Sequence, residues 1–402
     1  MQGFPVKAFA ALTTAILMSL SSARADVQPQ PYVFENGLEL NPYVKASLFN
    51  DNNVIRSQTD TISSFGSHIE PGVELVGNPG NSQFEVGYRL VQGNYYDSND
   101  DNFTDHFLNG VFNWNLATRH RLNFYYNFDK MHEGRGYGFS EGRGELFDEV
   151  VKIDRQTGEV VYSFGGENAT GRIDVGFRHR DKRYTNFRDA TQFQDLTETR
   201  YLATFFYRIA AKTSLLIEGV KVDNRYKVTR DQTFSRDNDD YFAFVGAEMS
   251  SDSAKLTGKV RLGYQNKRFK EGRDDSFHDF SWDVNIGYLL KAYSKLTLET
   301  SQRAKNPSQE TGDYVKASLI RLNWKHFWLD RFATIAEYHY GKDAYSGIVR
   351  DDTIKEYTVG LEYDVQRWMN VGLSYTDTNK SSNAAGIGFD QSIIAVTFHV
   401  TL

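Results

Sequence analysis

Basic side chains recur at alternate positions in several stretches of this chain. In the clearest one, residues 255–269, Lys259 and Arg261 alternate with Val260 and Leu262. A period of two places successive side chains on opposite faces of a β-strand. A row of guanidinium and ammonium groups on one face can attract anionic solutes through water. The pattern therefore predicts long strands with one charged face and one apolar face.

The apolar parity of the strands predicts which side chains face lipid, as in Tyr357, Val359 and Leu361. Charge on that face would be costly near the middle of a bilayer. The opposite parity predicts a basic wall around a lumen, made of Arg89, Arg121, Arg172, Arg178, Arg180, Lys182, Lys221, Arg225, Lys259, Arg261, Arg303 and Arg321. The alternative interpretation is that these charges pair with acidic residues on neighbouring strands and merely hydrate the wall.

Similar strands follow one another along residues 38–402, about 18 in all. Their connections alternate between short turns and long loops, a feature of outer-membrane barrels with periplasmic turns and extracellular loops. A water-soluble all-β repeat protein would show a repeated motif, whereas only the pattern repeats here. We therefore predict an all-β fold, a transmembrane antiparallel β-barrel of the outer membrane.

The first residues have the features of an export signal. Lys7 precedes an apolar run over 8–20, and Ala23, Arg24 and Ala25 form a cleavage site of the A-x-A type. The run is shorter than a membrane-spanning helix requires. We predict a signal peptide over 1–25, a short periplasmic arm over 26–37 and a single barrel over 38–402.

Composition narrows the functional classes. The chain has no cysteine, which excludes disulfides and zinc–thiolate sites. Its formal net charge of −6 gives no support to a nucleic-acid partner. Aromatic residues make up 14% of the chain, which suits the aromatic girdles of a barrel.

The connection over 133–157 is the longest one and is rich in Gly, Arg and Glu. Long loops of barrels commonly fold inward, so we predict a constriction loop formed by Arg135, Glu141, Arg143 and Glu145. The glycines over 134–138 do not lie between a strand and a helix, as those of a phosphate-binding loop would.

Catalytic and metal-binding patterns are weak. His132 and Glu133 lack the second histidine of a zincin helix. Asp97, Asp101 and Asp105 have partial calcium-loop spacing, but Asn102 stands in place of the turn glycine. We expect no enzyme, no cofactor and no metal, although a hydrolytic site assembled from distant residues stays open as an alternative.

Short motifs at 119–136 and 169–187 resemble those of the putative beta-barrel porin-2 family. They are Arg119-His120-Arg121-Leu122, Asp129-Lys130-Met131-His132-Glu133-Gly134-Arg135-Gly136, Ala169-Thr170-Gly171-Arg172 and Arg183-Tyr184-Thr185-Asn186-Phe187. The chain departs from the usual barrel pattern at Leu402, where an aromatic residue is typical. The resemblance implies an outer-membrane protein associated with exopolysaccharide or capsule synthesis.

We therefore expect a passive outer-membrane channel that exports a polysaccharide. A general diffusion or sugar-uptake porin is the alternative, and a structural or adhesin barrel is a third possibility. The expected partners are outer-membrane lipid and lipopolysaccharide, the polysaccharide, periplasmic polysaccharide-export proteins and the barrel assembly machinery.

Overall fold

The computed structural model describes residues 30–166, 169–230, 235–249, 255–270, 276–309 and 311–402. The predicted signal peptide over 1–25 and the first part of the predicted arm lie outside these residues. The described end of the arm contains a two-residue strand that pairs with the beginning of the first long strand.

Nineteen strands form one antiparallel sheet. They are β1 (Tyr32–Val33), β2 (Glu39–Asp51), β3 (Ser64–Gly77), β4 (Ser82–Tyr95), β5 (Phe103–Ala117), β6 (His120–Glu133), β7 (Val151–Phe164), β8 (Gly171–Tyr184), β9 (Leu196–Ala210), β10 (Thr213–Tyr226), β11 (Asn238–Met249), β12 (Leu256–Phe269), β13 (Phe277–Lys291), β14 (Ser294–Lys305), β15 (Val315–Leu329), β16 (Phe332–Tyr345), β17 (Asp351–Gln366), β18 (Met369–Ser382) and β19 (Phe389–Thr401).

The last strand closes the sheet on the first long one. β19 pairs with β2 in a register that runs from Ile393 opposite Asp51 to Thr401 opposite Tyr43. β2 to β19 thus form a closed barrel of 18 strands, and the predicted fold class is confirmed. Closure leaves no strand edge with unpaired backbone groups in the lipid.

Among the described residues, helical structure is limited to short segments in the connections. One α-helical turn covers Arg188–Thr191, and 3₁₀ turns cover Asn99–Asp101, Gly138–Ser140, Gly144–Leu146 and Gln192–Gln194. None of the helices in the described part of the chain has the length and apolar character needed to traverse a bilayer.

The two faces of the barrel follow the predicted alternation. On β17, Tyr357, Val359 and Leu361 are exposed on the outer surface, while Glu356, which directly precedes Tyr357, is buried on the inner side. Outward apolar side chains are stable in contact with lipid, and the inward positions hold the charges.

Some strands, β7, β17 and β18 among them, extend further at their extracellular ends than the apolar alternation predicts. β7 begins at Val151 and not near residue 158, because Lys152, Asp154 and Gln156 continue the ladder above the apolar band. The longest loop therefore covers 134–150. Lys152, Asp154 and Gln156 make the outward face polar here, so the outward apolar pattern did not reveal this part of the strand.

Candidate functional site

The loop over 134–150, here called the constriction loop, crosses the mouth of the barrel. Glu141 at its centre accepts a hydrogen bond from Arg350 Nη2 at 2.6 Å and contacts Lys380 Nζ. Arg350 directly precedes β17, and Lys380 lies on β18, whereas the loop starts from β6. Because β19 and β2 to β5 lie between β18 and β6 on the shorter way round, the contacts span the lumen.

An apolar cluster holds the base of the constriction loop against the inner wall. Phe139 is 3% exposed and packs with Met131, Val151, Ile153 and Tyr184. Burial of several large apolar side chains fixes the loop more strongly than polar contacts alone would. A hydrophobic core inside the barrel thus lies on the side where the loop begins.

Two hydrogen bonds to Glu133 also hold the constriction loop at this place. The Phe139 amide donates to Glu133 Oε2 at 2.8 Å, and the Tyr184 hydroxyl donates to Glu133 Oε1 at 3.2 Å. The carboxylate therefore joins the end of β6, the loop and the end of β8.

Arg135 ties the constriction loop to the connection between β4 and β5. Its Nε and Nη2 donate to the two carboxylate oxygens of Asp101 at 3.0 and 2.6 Å. These hydrogen bonds raise the pKa of the guanidinium, and Asp100 adds to the effect. The pairing leaves Arg135 buried and occupies one acid of the partial calcium-loop pattern.

Tyr137 packs under a neighbouring loop. The guanidinium of Arg56, in the connection between β2 and β3, lies 4.8 Å from the centre of the Tyr137 ring. Burial raises the pKa of the phenol to about 12. Two connections that are distant in sequence therefore pack together at the mouth.

Glycine is required where the constriction loop passes these neighbours. Gly136 has a φ of +74°, and a Cβ there would overlap the carbonyl oxygen of Ile55. Gly138 has a φ of +60°, and a Cβ there would overlap the Glu133 carboxylate. Gly136 and Gly138 thus permit close packing of a fixed loop.

A second inward segment meets the constriction loop. Gln309, after β14, donates from Nε2 to the carbonyl oxygen of Glu141 at 2.8 Å. Gln265 on β12 exchanges hydrogen bonds with the backbone of Ala304 at 2.8 and 3.0 Å. Because these bonds bypass β13, they draw the end of β14 towards the lumen.

The other two predicted residues of the loop have different surroundings. Arg143 donates from Nη2 to the Phe139 carbonyl oxygen at 3.0 Å and lies over the Phe139 and Phe147 rings. Glu145 is exposed. The structure therefore brings Glu141 to the opposite wall, while Arg143 stabilises the loop internally.

The predicted basic wall is extensively paired with carboxylates. Arg178 Nη2 lies 3.4 Å from Glu198, and Arg180 Nη1 lies 3.5 Å from the same carboxylate. Lys182 Nζ lies 3.9 Å from Glu133. The cross-strand pairing described as the alternative interpretation above is therefore present on β8.

A denser group of charges lies on β10, β12 and β13. Arg261 donates to Glu218 at 2.7 Å and lies 2.8 Å from Asp283. Lys259 Nζ lies 3.2 Å from Glu218, whose own side chain is 2% exposed. Two cations and two carboxylates thus neutralise one another in a partly dehydrated part of the wall.

Other members of the predicted wall also face inward. Three of them have acidic partners. Arg89 lies 3.5 Å from Glu70, Arg172 lies 3.2 Å from Asp174, and Arg321 lies 3.3 Å from Glu299. Arg121 donates to the Gly165 carbonyl oxygen at 2.9 Å, and Arg303 is exposed on the inward parity of β14.

Lys221 and Arg225 do not line the lumen. They share the parity of Leu215 and Ile217, which are 47% and 64% exposed on the outer face. The register also places Lys221 between two outward tyrosines. The assignment failed because β10 reaches above the apolar band, where charge is allowed on the outer face.

Arg200 is an inward cation that the sequence analysis missed. It lies directly opposite Arg178 in the register of β8 and β9. Its Nε is buried without a hydrogen-bond partner among the described residues. Its alternation with the outward Tyr201 was the signal that could have identified it.

Within the described ranges, no group of three histidine or acidic side chains is arranged to hold a metal ion. Asp105, another member of the calcium-loop pattern, lies 3.0 Å from His132 Nδ1. Asp101 and Asp105 of that pattern therefore serve as partners of basic side chains, while Asp97 accepts a hydrogen bond from the Phe65 amide.

A closed barrel of long antiparallel strands, with an apolar exterior, a charged interior and a loop folded across the mouth, defines the porin class of outer-membrane channels. The model of one family, described as Putative beta-barrel porin 2, matches residues 39–402. The chain belongs to this family, and its location is the bacterial outer membrane.

Two solved structures are similar to this chain. OccK2 (OpdF) of Pseudomonas aeruginosa, in complex with glucuronate, is 9% identical over 93% of this chain and 100% of its own, with a TM-score of 0.50. A BenF-like porin from Pseudomonas fluorescens Pf-5 is 10% identical over 91% of this chain and 99% of its own, with a TM-score of 0.49. No curated protein matches the sequence.

Proposed function

We propose that this protein is a diffusion channel for the uptake of small polar solutes, with sugars and acidic sugars as the solute class. The observation that carries this proposal is the anchoring of Glu141 across the lumen by Arg350 and Lys380. A loop held on both sides divides the mouth and limits the size of what can pass. A limit on size suits a small solute better than a continuous polymer.

The paired wall supports the same solute class. Carboxylates of neighbouring strands, such as Glu198 and Glu218, lie beside the guanidinium and ammonium groups of β8 and β12, so the wall offers both acceptors and donors of hydrogen bonds. Hydroxyl-rich solutes need both kinds of group, whereas a wall of one sign would favour ions of the other. OccK2, a similar barrel, was solved with glucuronate, and this acidic sugar is a suitable first solute to test.

Polysaccharide export, the main expectation from the sequence, receives less support. A polymer in transit would require the constriction loop to leave the apolar cluster around Phe139 and the contacts of Glu141 at the same time. The release of both anchors would cost the stabilisation of several buried side chains.

The test is the solute size limit of liposomes that contain the purified barrel. We expect swelling with glucose and glucuronate, slower swelling with trisaccharides and none with a long polysaccharide. A variant that lacks residues 136–144 should admit larger sugars and show a higher single-channel conductance. Passage of a long polysaccharide through the unaltered barrel, or an unchanged size limit in the deletion variant, would contradict the proposal.

A further inference from the structure

A shallow apolar groove crosses the outer face of the barrel from β7 to β11. Ala203 and Gly219 form its floor, and Ala243 continues the same register row. The larger side chains of Tyr201 and Tyr241 stand in the next row towards the extracellular end. The groove encloses about 760 Å³ and is lined almost entirely by apolar atoms.

Three cations stand at the extracellular end of the groove. Lys221 lies between Tyr201 and Tyr241, with its Nζ 2.9 Å from Asp223. Arg225 lies 2.5 Å from Asp239, and the exposed Arg268 is opposite Asp239 in the register. With two carboxylates between them, the three cations leave an excess of positive charge at this end of the groove.

The height of these cations matches the boundary between acyl chains and headgroups. A tilted strand climbs about 2.5 Å along the membrane normal per residue, so Lys221 stands about 20 Å above the start of β10 at Thr213. The apolar band of such barrels is about 25 Å tall. The groove therefore lies at the depth of the outer-leaflet acyl chains, and Lys221 and Arg225, about 20 and 30 Å above Thr213, lie on either side of the upper edge of the apolar band.

We propose that the groove is a binding site for lipid A, the phosphorylated and acylated diglucosamine of the outer leaflet. One acyl chain occupies the groove over Ala203 and Gly219, and a phosphate is bound by Lys221 and Arg225. Positive charge beside an apolar surface complements such a lipid. A second copy of this chain fits less well, because its own charged row would be buried against this one.

A larger side chain at Gly219 can fill the groove without disturbing the barrel wall. A Cβ built on Gly219 meets no atom within 4 Å, and its backbone has no positive φ. Gly219→Leu should therefore occupy the place of the acyl chain and still assemble. Gly110 on β5 is equally open and stands outside the groove, so Gly110→Leu is the matched control.

The experiment measures lipid A retained by the full-length barrel in detergent, by native mass spectrometry over a lipid titration. Gly219→Leu should weaken retention, and Lys221→Gln combined with Arg225→Gln should weaken it roughly tenfold. Gly110→Leu should match the unaltered barrel. Lys355→Gln should match it too, since Lys355 is an exposed residue near the extracellular end of β17. Heat-dependent gel mobility verifies that each variant is folded.

Equal retention by the unaltered barrel and Gly219→Leu overturns the groove as the acyl site. Equal retention by the double glutamine variant overturns the role of the cations. Phosphatidylglycerol retained as strongly as lipid A would reduce the site to ordinary contact with anionic lipid. A stable dimer that Gly219→Leu converts to monomers would assign the groove to a second copy.

Discussion

The Glu141 carboxylate lies 2.6 Å from the Arg350 guanidinium, although 209 positions separate the two residues in the chain. Arg350 also contacts Asp352, and these neighbouring carboxylates raise the pKa of its guanidinium. The pair holds the constriction loop across the mouth of the barrel. Its strength should therefore govern the conductance of the channel.

Glu141→Gln should raise the single-channel conductance and the frequency of brief openings in planar bilayers. The amide keeps the shape of the side chain but loses the charge that attracts Arg350 and Lys380. Glu145→Gln on the same loop is the control, because Glu145 is exposed. If both variants conduct like the unaltered channel, the Glu141 contacts do not restrict the mouth.

Gly136→Ala should loosen the constriction loop. The new methyl group would overlap the Ile55 carbonyl oxygen at a φ of +74°, and strain of this kind costs about 1 to 3 kcal/mol. The measurement is the rate of proteolysis within residues 134–150 in the folded barrel. Gly134→Ala should leave this rate unchanged, because a Cβ there meets no atom within 4 Å. Equal rates in the two variants would contradict the observed packing.

Ion selectivity depends on the pairing of the wall. The unaltered channel should show only a weak preference between anions and cations, because Arg178 and Arg180 share Glu198. Replacing both arginines with Gln should leave Glu198 uncompensated and shift the reversal potential towards cations at low salt, since about 0.1 M salt screens charges beyond about 10 Å.

The outward-facing Arg225→Gln variant is the control for this shift, and its reversal potential should not change. A strong anion preference in the unaltered channel would show that the carboxylates on β7 to β9 compensate the arginines incompletely. In that case the basic wall predicted from the sequence would act as a selectivity filter.

Arg261→Met should lower the stability of the barrel. Glu218 would remain 2% exposed with Lys259 as its one cationic neighbour among the pairs described above, and breaking a buried ion pair costs about 3 to 5 kcal/mol. Heat-dependent gel mobility measures the loss. Arg268→Met, an exposed outward position on the same strand, should leave the melting temperature nearly unchanged. Similar melting of both variants would mean that the Arg261 pairs contribute little.

The barrel could be predicted from the sequence because alternation of apolar and polar residues is a local property. Val359 and Leu361 indicate an outer face without any knowledge of their neighbours. The same rule misplaced Lys221 and Arg225, because it does not reveal where the apolar band ends along a strand. Pairing within the lumen was equally hidden, since Arg178 and Glu198 belong to different strands whose register is set by the whole barrel.

The constriction loop shows the limit of sequence analysis most clearly. Glycine, arginine and glutamate in 134–150 indicated a functional loop, but no local pattern connects Glu141 with Arg350 or Gly136 with Ile55. These contacts arise because barrel closure brings distant loops to one mouth. They could be found only from the three-dimensional arrangement.

The pairing of β2 with β19 also determines when the barrel can close during its assembly. Ile393 finds its partner Asp51 only after every intervening strand has been delivered, so earlier stages expose two sheet edges at once. Such intermediates are prone to pair with other chains. Shielding of the nascent β2 edge until β19 arrives is therefore a requirement imposed by the topology itself.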